Sequence, residues 1–160
     1  MIFKDKTVVI TGGSDGCGAA AARMFADAGA NLVLVARGKR KLEAIAEELR
    51  EKTQVEIFPM DVADTDACSD VFRKAEFEFG RVDVLVNNAG TTKIADPKDL
   101  HALSAEDFRR IYDVNVIGTY QMTRAARPAL AATGRGAIVN TSSIAGVAGM
   151  GSSIAYAASK

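Results

Sequence analysis

Tryptophan is absent from this 160-residue chain, proline occurs three times, cysteine twice and histidine once. Cys17 and Cys68 are too few for a disulfide framework and read as free thiols in a reducing compartment. His101, the single histidine, stands far from both thiols in the sequence, so no metal-ligand spacing is present. Neither sign of charge is in excess: 20 Lys and Arg balance 20 Asp and Glu, which removes the electrostatic case for a nucleic-acid partner. The opening Met-Ile-Phe-Lys-Asp-Lys carries charges where a signal peptide needs apolar residues. The longest uncharged run, Gly136 to Ser159, is rich in Gly, Ser and Ala and reads as strand, loop and helix start, not as a membrane span. The expectation is a cytoplasmic protein with no membrane partner.

What is present suits a globular domain. Hydrophobic residues make up 48% and charged residues 25%, and 160 residues can bury one sizeable core, so residues 1–160 are expected to form one domain. Thr7–Ile10 is a short apolar run stopped by Thr11-Gly12-Gly13 and reads as a buried strand. Ala19–Ala28 reads as an Ala-rich helix closed by Gly29, and Asn31–Ala36 as a second buried strand. Lys39–Lys52 is an amphipathic helix with Leu42, Ile45, Ala46 and Leu49 on one face. Gln54–Met60 is a third strand, Asp64–Phe79 a helix with Phe72, Ala75 and Phe79 facing inward, and Val82–Val86 a fourth strand. Thr91–Leu103 is irregular. Ser104 looks like an N-cap for a long helix whose face carries Phe108, Ile111, Tyr112, Asn115, Thr119 and Met122, and Pro128 is expected to kink or end it. Gly136–Asn140 is a fifth strand. Strict alternation of helices with non-alternating apolar strands predicts an α/β fold: a doubly wound parallel sheet of Rossmann type with helices on both faces.

Two patterns carry chemistry. The turn Thr11-Gly-Gly-Ser-Asp-Gly-Cys-Gly18 lies between the first strand and first helix, where Gly12, Gly16 and Gly18 let the backbone approach a pyrophosphate and the helix N-terminus adds free N–H groups. Its spacing is Gly-x-x-x-Gly-x-Gly, with no Walker lysine. Near the other end, Tyr156 and Lys160 stand four apart and share a helix face. A phenol beside an ammonium ionises below its usual pKa of about 10, which suits an acid/base near neutral pH. Ser143, thirteen residues upstream of Tyr156, adds a hydroxyl.

Taken in order, Thr11-Gly-x-x-x-Gly16-x-Gly18, Asn87-Asn-Ala-Gly90, Asn115, Ser143 and Tyr156-x-x-x-Lys160 resemble the short-chain dehydrogenases/reductases of the classical subgroup, and the resemblance runs the length of the chain. It implies an oxidoreductase that moves a hydride between a nicotinamide cofactor and a small-molecule carbonyl or secondary alcohol. Tyr156 would be the general acid, Lys160 would hydrogen-bond the nicotinamide ribose and lower the Tyr156 pKa, and Ser143 would orient the carbonyl. Ser142 is the competing serine, disfavoured by its spacing. Asn115 would hold a water linking Lys160 to solvent; read from the residues alone, it is a helix-face Asn capping a local carbonyl.

For the cofactor, the resemblance implies that Gly12, Ser14, Asp15, Gly16, Cys17 and Gly18 surround the pyrophosphate. Asn88, Ala89 and Gly90 would line the adenosine-ribose side, while Asp61 and Val62 would meet the adenine, with a plain turn carboxylate as the alternative for Asp61. An NAD enzyme usually carries an acidic residue at the end of the second strand, and here Arg37 stands there, near Lys39 and Arg40, which favours NADP over NAD. Asp15 dissents, since a carboxylate in the turn repels phosphate.

Family members continue past the Tyr-x-x-x-Lys helix. The resemblance therefore implies that the chain is part of a longer protein, that alone it lacks the C-terminal strands and is inactive or nearly so, and that the whole protein is a homo-oligomer packed through the helix from Ser104 and the Tyr-Lys helix. Two other functions compete with this one. A non-catalytic nucleotide-binding sensor or scaffold has no need of Ser143, Tyr156 and Lys160 together, and a methyltransferase gives no reason for Tyr-x-x-x-Lys. The identity of the carbonyl compound stays open between acyl thioester, sugar, steroid and xenobiotic ketone.

Overall fold

The computed structural model describes residues 1–160. Its elements are β1 (Thr7–Thr11), α1 (Gly16–Asp27), β2 (Asn31–Ala36), α2 (Lys39–Arg50), β3 (Val55–Pro59), α3 (Thr65–Phe79), β4 (Val84–Asn87), α4 (Ala105–Tyr112), a π-helical segment (Asp113–Gly118), α5 (Thr119–Ala132), β5 (Ala137–Asn140), α6 (Ala145–Ala148) and α7 (Ile154–Ser159). The five strands form one parallel sheet in the order β3-β2-β1-β4-β5. The chain therefore winds outward from β1 to β3, then returns to the other side of β1 for β4 and β5. This is the doubly wound, Rossmann-type arrangement, and its switch point lies between β1 and β4.

The apolar runs of β1, β2 and β4 form strands because both faces of each are covered, whereas β5, at the edge, is exposed at all four positions. Val8, Ile10, Leu32, Leu34, Val84 and Val86 point to one face, where Ala19, Ala22 and Ala26 of α1 and Leu42, Ile45 and Leu49 of α2 pack on them. Val9, Val33, Val35 and Leu85 point to the other, against Val71, Phe72 and Ala75 of α3 and Met122, Ala126 and Leu130 of α5. Small alanines on α1 bring it close to the sheet, which sets the glycine turn directly over the ends of β1 and β4. Phe79 is partly buried against the second cluster. No helix is long and apolar enough to cross a membrane.

The long helix departs from expectation twice. It carries the π-helical segment in its middle, and Pro128 lies inside α5 without ending it. Pro128 is exposed and takes one donor, the partner of the Arg124 carbonyl, out of the helical ladder. The irregular stretch Thr91–Leu103 is fastened to α4 by Lys93, whose ammonium meets Asp107 at 2.7 Å. The Lys93 hydrogen bond and the Ser104 N–H lower the Asp107 carboxyl to about 2. Ser104 and Asp107 also form a reciprocal capping box on α4.

Asp83 precedes β4 and is 3% exposed, yet it is charged. It accepts the Thr7 N–H at 3.0 Å and both arms of Arg81 at 2.8 and 2.6 Å. Burial alone would raise its pKa, but Arg81, the Thr7 amide and Lys6 outweigh burial and hold it below the usual carboxylate value. A depressed carboxyl stabilises the fold above its unfolded pKa, and that stability is lost as pH falls through the folded value. Asp83→Asn is therefore expected to cost about 1–3 kcal/mol in urea unfolding at pH 7. The gap to the unsubstituted chain should narrow in titrations carried below about pH 4; a gap that is constant with pH would show that Asp83 acts only by shape.

Candidate active site

A cleft of about 520 Å³ opens at the C-terminal ends of the strands, over the switch point. Its walls include Gly12, Ser14, Asp15 and Gly16 from the glycine turn, Arg37 after β2, Asp61 and Val62 after β3, and Asn88, Ala89 and Gly90 after β4. Cys17 is exposed and Gly18 buried, and neither lines the cleft. Gly18 instead permits the turn: a Cβ there would overlap the Gly12 carbonyl oxygen and stand 2.6 Å from Asn88 Nδ2. Thr11 ties the turn to the end of β4, its Oγ1 accepting the Asn88 and Ala89 N–H groups, both at 3.0 Å. Asn88 Nδ2 donates in return to the Thr11 carbonyl oxygen at 3.2 Å.

The charges of the cleft are arranged in pairs. Arg37 Nη1 lies 3.6 Å from Asp61 Oδ2, while the other Asp61 oxygen accepts the Ala63 N–H at 3.1 Å and forms a turn. Asp15 caps α1 by accepting the Gly16 N–H, and its second oxygen meets Lys41 Nζ at 2.6 Å. The hydrogen bond from the Lys41 ammonium, with the Gly16 N–H, holds the Asp15 carboxyl below the ordinary carboxylate value. Lys41 escaped the sequence reading, which weighed Lys39 and Arg40 instead. The signal was its place in the first turn of α2, one residue before buried Leu42, which aims it across at the glycine turn.

Beyond Gly90 lies a second group. Asn115, on the π-helical segment and 6% exposed, accepts the Thr91 N–H at Oδ1 (2.8 Å). It donates from Nδ2 to the Thr91 carbonyl (3.0 Å) and to Ser159 Oγ (2.8 Å). Ser159 Oγ donates to the Tyr156 carbonyl at 2.8 Å. Lys160 Nζ donates to the Thr141 carbonyl at 2.9 Å and stands 5.9 Å from the centre of the Tyr156 ring. Burial pushes the Lys160 ammonium below its usual pKa. A Cβ at Gly90 would lie 3.5 Å from both Asn115 Oδ1 and Lys160 Nζ, so the wall of the cleft and this second group meet there. Ser143 Oγ accepts the Ala145 N–H at 3.2 Å, and neighbouring Ser142 donates to the Lys160 carbonyl at 3.2 Å. The structure thus ties Asn115 through Ser159 to the backbone of the Tyr156–Lys160 helix, sets Lys160 near the Tyr156 ring without a hydrogen bond between them, and leaves Ser143 two residues past the Lys160 contact at Thr141. Ser159 and Thr91 were missed because their hydroxyl and backbone contacts span more than forty and more than twenty residues of sequence respectively.

The glycine turn at a helix N-terminus, two cations at the end of β2 and start of α2, and a crevice at the switch point fit a dinucleotide. The fold is that of a Rossmann-type α/β protein. A family model described as short chain dehydrogenase matches residues 6–160, and the chain belongs to that family. It is 40% identical over 154 residues to sulfoacetaldehyde reductase 2 of Chromohalobacter salexigens, covering 96% of this chain and 60% of that protein. It is 38% identical over 162 residues to cis-4-hydroxycyclohexanecarboxylate dehydrogenase of Sinomonas cyclohexanicum, covering 99% of this chain and 63% of that one. The structure of an NAD+-bound xylitol dehydrogenase superposes with a TM-score of 0.93 at 30% identity, over 100% of this chain and 61% of the other. The chain thus spans about 60% of the length of the curated relatives it matches.

Gly18→Ala is expected to lower the melting temperature by about 3–10 °C, because the new methyl overlaps backbone that cannot yield. Gly38→Ala, whose Cβ would meet nothing nearer than Lys41 Cβ at 4.0 Å, should change it by less than about 2 °C. Differential scanning calorimetry separates the two, and equal shifts would remove the special role of Gly18.

Proposed function

We propose that this chain is the cofactor-binding and catalytic portion of an NADP-dependent oxidoreductase that interconverts a carbonyl compound and its secondary alcohol. One observation supports the reading: Asn115 is bonded through Ser159 to the backbone of the helix that carries Tyr156 and Lys160, and Lys160 Nζ lies near Gly90 on the wall of the cleft, 5.9 Å from the centre of the Tyr156 ring. The nicotinamide cofactor supplies the hydride. Tyr156 gives its phenolic proton to the carbonyl oxygen, and Ser143 Oγ–H donates to that oxygen and orients it. Lys160, with Nζ half-buried and 5.9 Å from the centre of the Tyr156 ring, holds the nicotinamide ribose. Asn115 positions the helix that carries both, and holds the water through which the proton is replaced. Cys17 and Gly18 serve by shaping the turn around the pyrophosphate, while Ser14, Asn88 and Ala89 supply its walls.

NADP is favoured over NAD because Arg37 and Lys41 both line the cleft and β2 ends without a carboxylate. The objection from Asp15 weakens, since its charge is already answered by Lys41. Asp61 and Val62 receive the adenine. Residues 1–160 act as one dinucleotide-binding unit, with the cytoplasm as its compartment. A second copy of the chain covers the long helix, where Phe108, Val116, Ile117 and Tyr120 stand exposed.

Titration of NADPH and NADH by cofactor fluorescence tests the cofactor reading. NADPH should bind at least about tenfold tighter, and Arg37→Ala should remove most of that difference with little effect on NADH. Equal affinities before and after the substitution would sink it. For the chemistry, Tyr156→Phe in the whole protein of which this chain is a portion should lower carbonyl-dependent oxidation of NADPH by about 10²–10⁴-fold while NADPH still binds. Unchanged turnover would remove Tyr156 from the reaction.

A further inference from the structure

We propose that Asp15 is an internal rival of the cofactor's 2′-phosphate: it holds Lys41 until the cofactor arrives and then yields it to that phosphate, so the Asp15–Lys41 pair sets how strongly NADP is preferred. This rests on the NADP reading and adds to it a contact that works against binding. Lys41 Nζ meets Asp15 Oδ2 at 2.6 Å and so joins the first turn of α2 to the residue that caps α1. The pair is a partition. Ser14, Asp15, Gly16 and Lys41 line the cleft on one side and, on the other, a groove of about 360 Å³ between α1 and α2. Opening the pair joins the two spaces and frees the ammonium to turn toward Arg37, which lines the same cleft.

No other charge takes the place of either partner. Arg23 also lines the groove, but Glu48 holds it through two hydrogen bonds of 2.7 Å. On the cleft side Arg37 is paired with Asp61. Lys41 and the Gly16 N–H are therefore the groups that keep the Asp15 carboxyl low. Both members of the pair are well exposed, Lys41 at 66% and Asp15 at 71%, and an exposed pair is held by about fivefold or less. A phosphomonoester carries nearly two charges where a carboxylate carries one, so it draws the ammonium away.

The start of α2 suits such an exchange. Its N-cap, Gly38, offers no side-chain cap, and its first turn holds no acidic residue but Lys39, Arg40 and Lys41 in a row. Cations at the positive end of a helix dipole are unfavourable. Asp15 on Lys41 and Glu43 on Lys39, at 3.7 Å, are the carboxylates that answer them. An arriving phosphate gives the same relief, so the two anions compete for one ammonium at one helix end.

Fluorescence titration with NADPH and NADH reads the exchange as the ratio of the two affinities. Asp15→Asn keeps a capping side chain on α1 and should raise the preference for NADPH by about three- to fivefold. Lys41→Met should lower it by about tenfold. Combined with Lys41→Met, Asp15→Asn should raise it by less than about twofold, because no ammonium is left to release. Carboxyl-carbon NMR gives a second readout: the Asp15 pKa should rise into the ordinary carboxylate range with NADPH bound and stay low with NADH. A preference lowered by Asp15→Asn, equal gains with and without Lys41, no effect of Lys41→Met, or an Asp15 carboxyl that stays low under NADPH would overturn the proposal. Any of these, seen where Arg37→Ala still removes the preference, strikes the Asp15–Lys41 exchange alone. Equal affinities for the two cofactors in the unsubstituted protein would bring down the NADP reading, and the exchange with it.

Discussion

The side-chain amide of Asn115 is the constraint on which the reactive end of this molecule depends. One buried group accepts the Thr91 amide, donates to the Thr91 carbonyl and donates again to Ser159, so it joins the loop after β4, the middle of the long helix and the Tyr-Lys helix. No other residue type of that size both accepts and donates twice from a rigid plane. The π-helical segment sets the direction of this amide, because an inserted residue rotates the following face of the helix. At the end of that segment Gly118 lets the helix rest on the turn after β3, where a Cβ would come within 2.8 Å of Val62 Cγ2. Local helix geometry, one close backbone approach and one amide thus place a tyrosine more than forty residues away.

The cleft beside it follows a different logic. Asp15 with Lys41 and Arg37 with Asp61 are exposed pairs, and exposed pairs add little to stability. Their effect is positional. Each keeps a cation poised at the rim by a partner that a more strongly charged ligand displaces at small cost. The interior of the domain, by contrast, is held by carbon: two apolar layers on either side of one sheet, with Asp83 as the one deeply buried carboxylate, wholly surrounded by donors.

Much of this was legible in the residues. Apolar strands that do not alternate can only be buried on two faces, and Val8 to Ile10 beside Leu32 to Val35 behave so. The glycine turn announced a close backbone approach, seen at Gly18. Periodicity could not reveal the π-helical segment, because Ile111, Asn115 and Met122 fit one helical face with or without an extra residue. Of the two outcomes expected at Pro128, a kink or an end, the helix does not end there but runs on to Ala132. Lys41 and Ser159 were hidden for a common reason: their partners, Asp15 and Asn115, are neighbours only after the sheet has formed. Asn115 does bind a carbonyl, but that of Thr91, on another segment.

The order of the sheet carries a consequence for how the molecule is made. β1 leaves the ribosome before the other four strands and ends as the central one. Its first edge is paired once residues 31–35 emerge, but its second waits for residues 84–86. The layer over Val9 and Val33 is completed only by α5, at residues 119–132. During that interval the nascent chain holds a sheet edge and an apolar face open to any other strand nearby, the circumstance in which chaperones act and in which aggregation starts. Translation speed between β2 and α5 is thus a physical variable of this fold, because it sets how long its oldest strand stays uncovered.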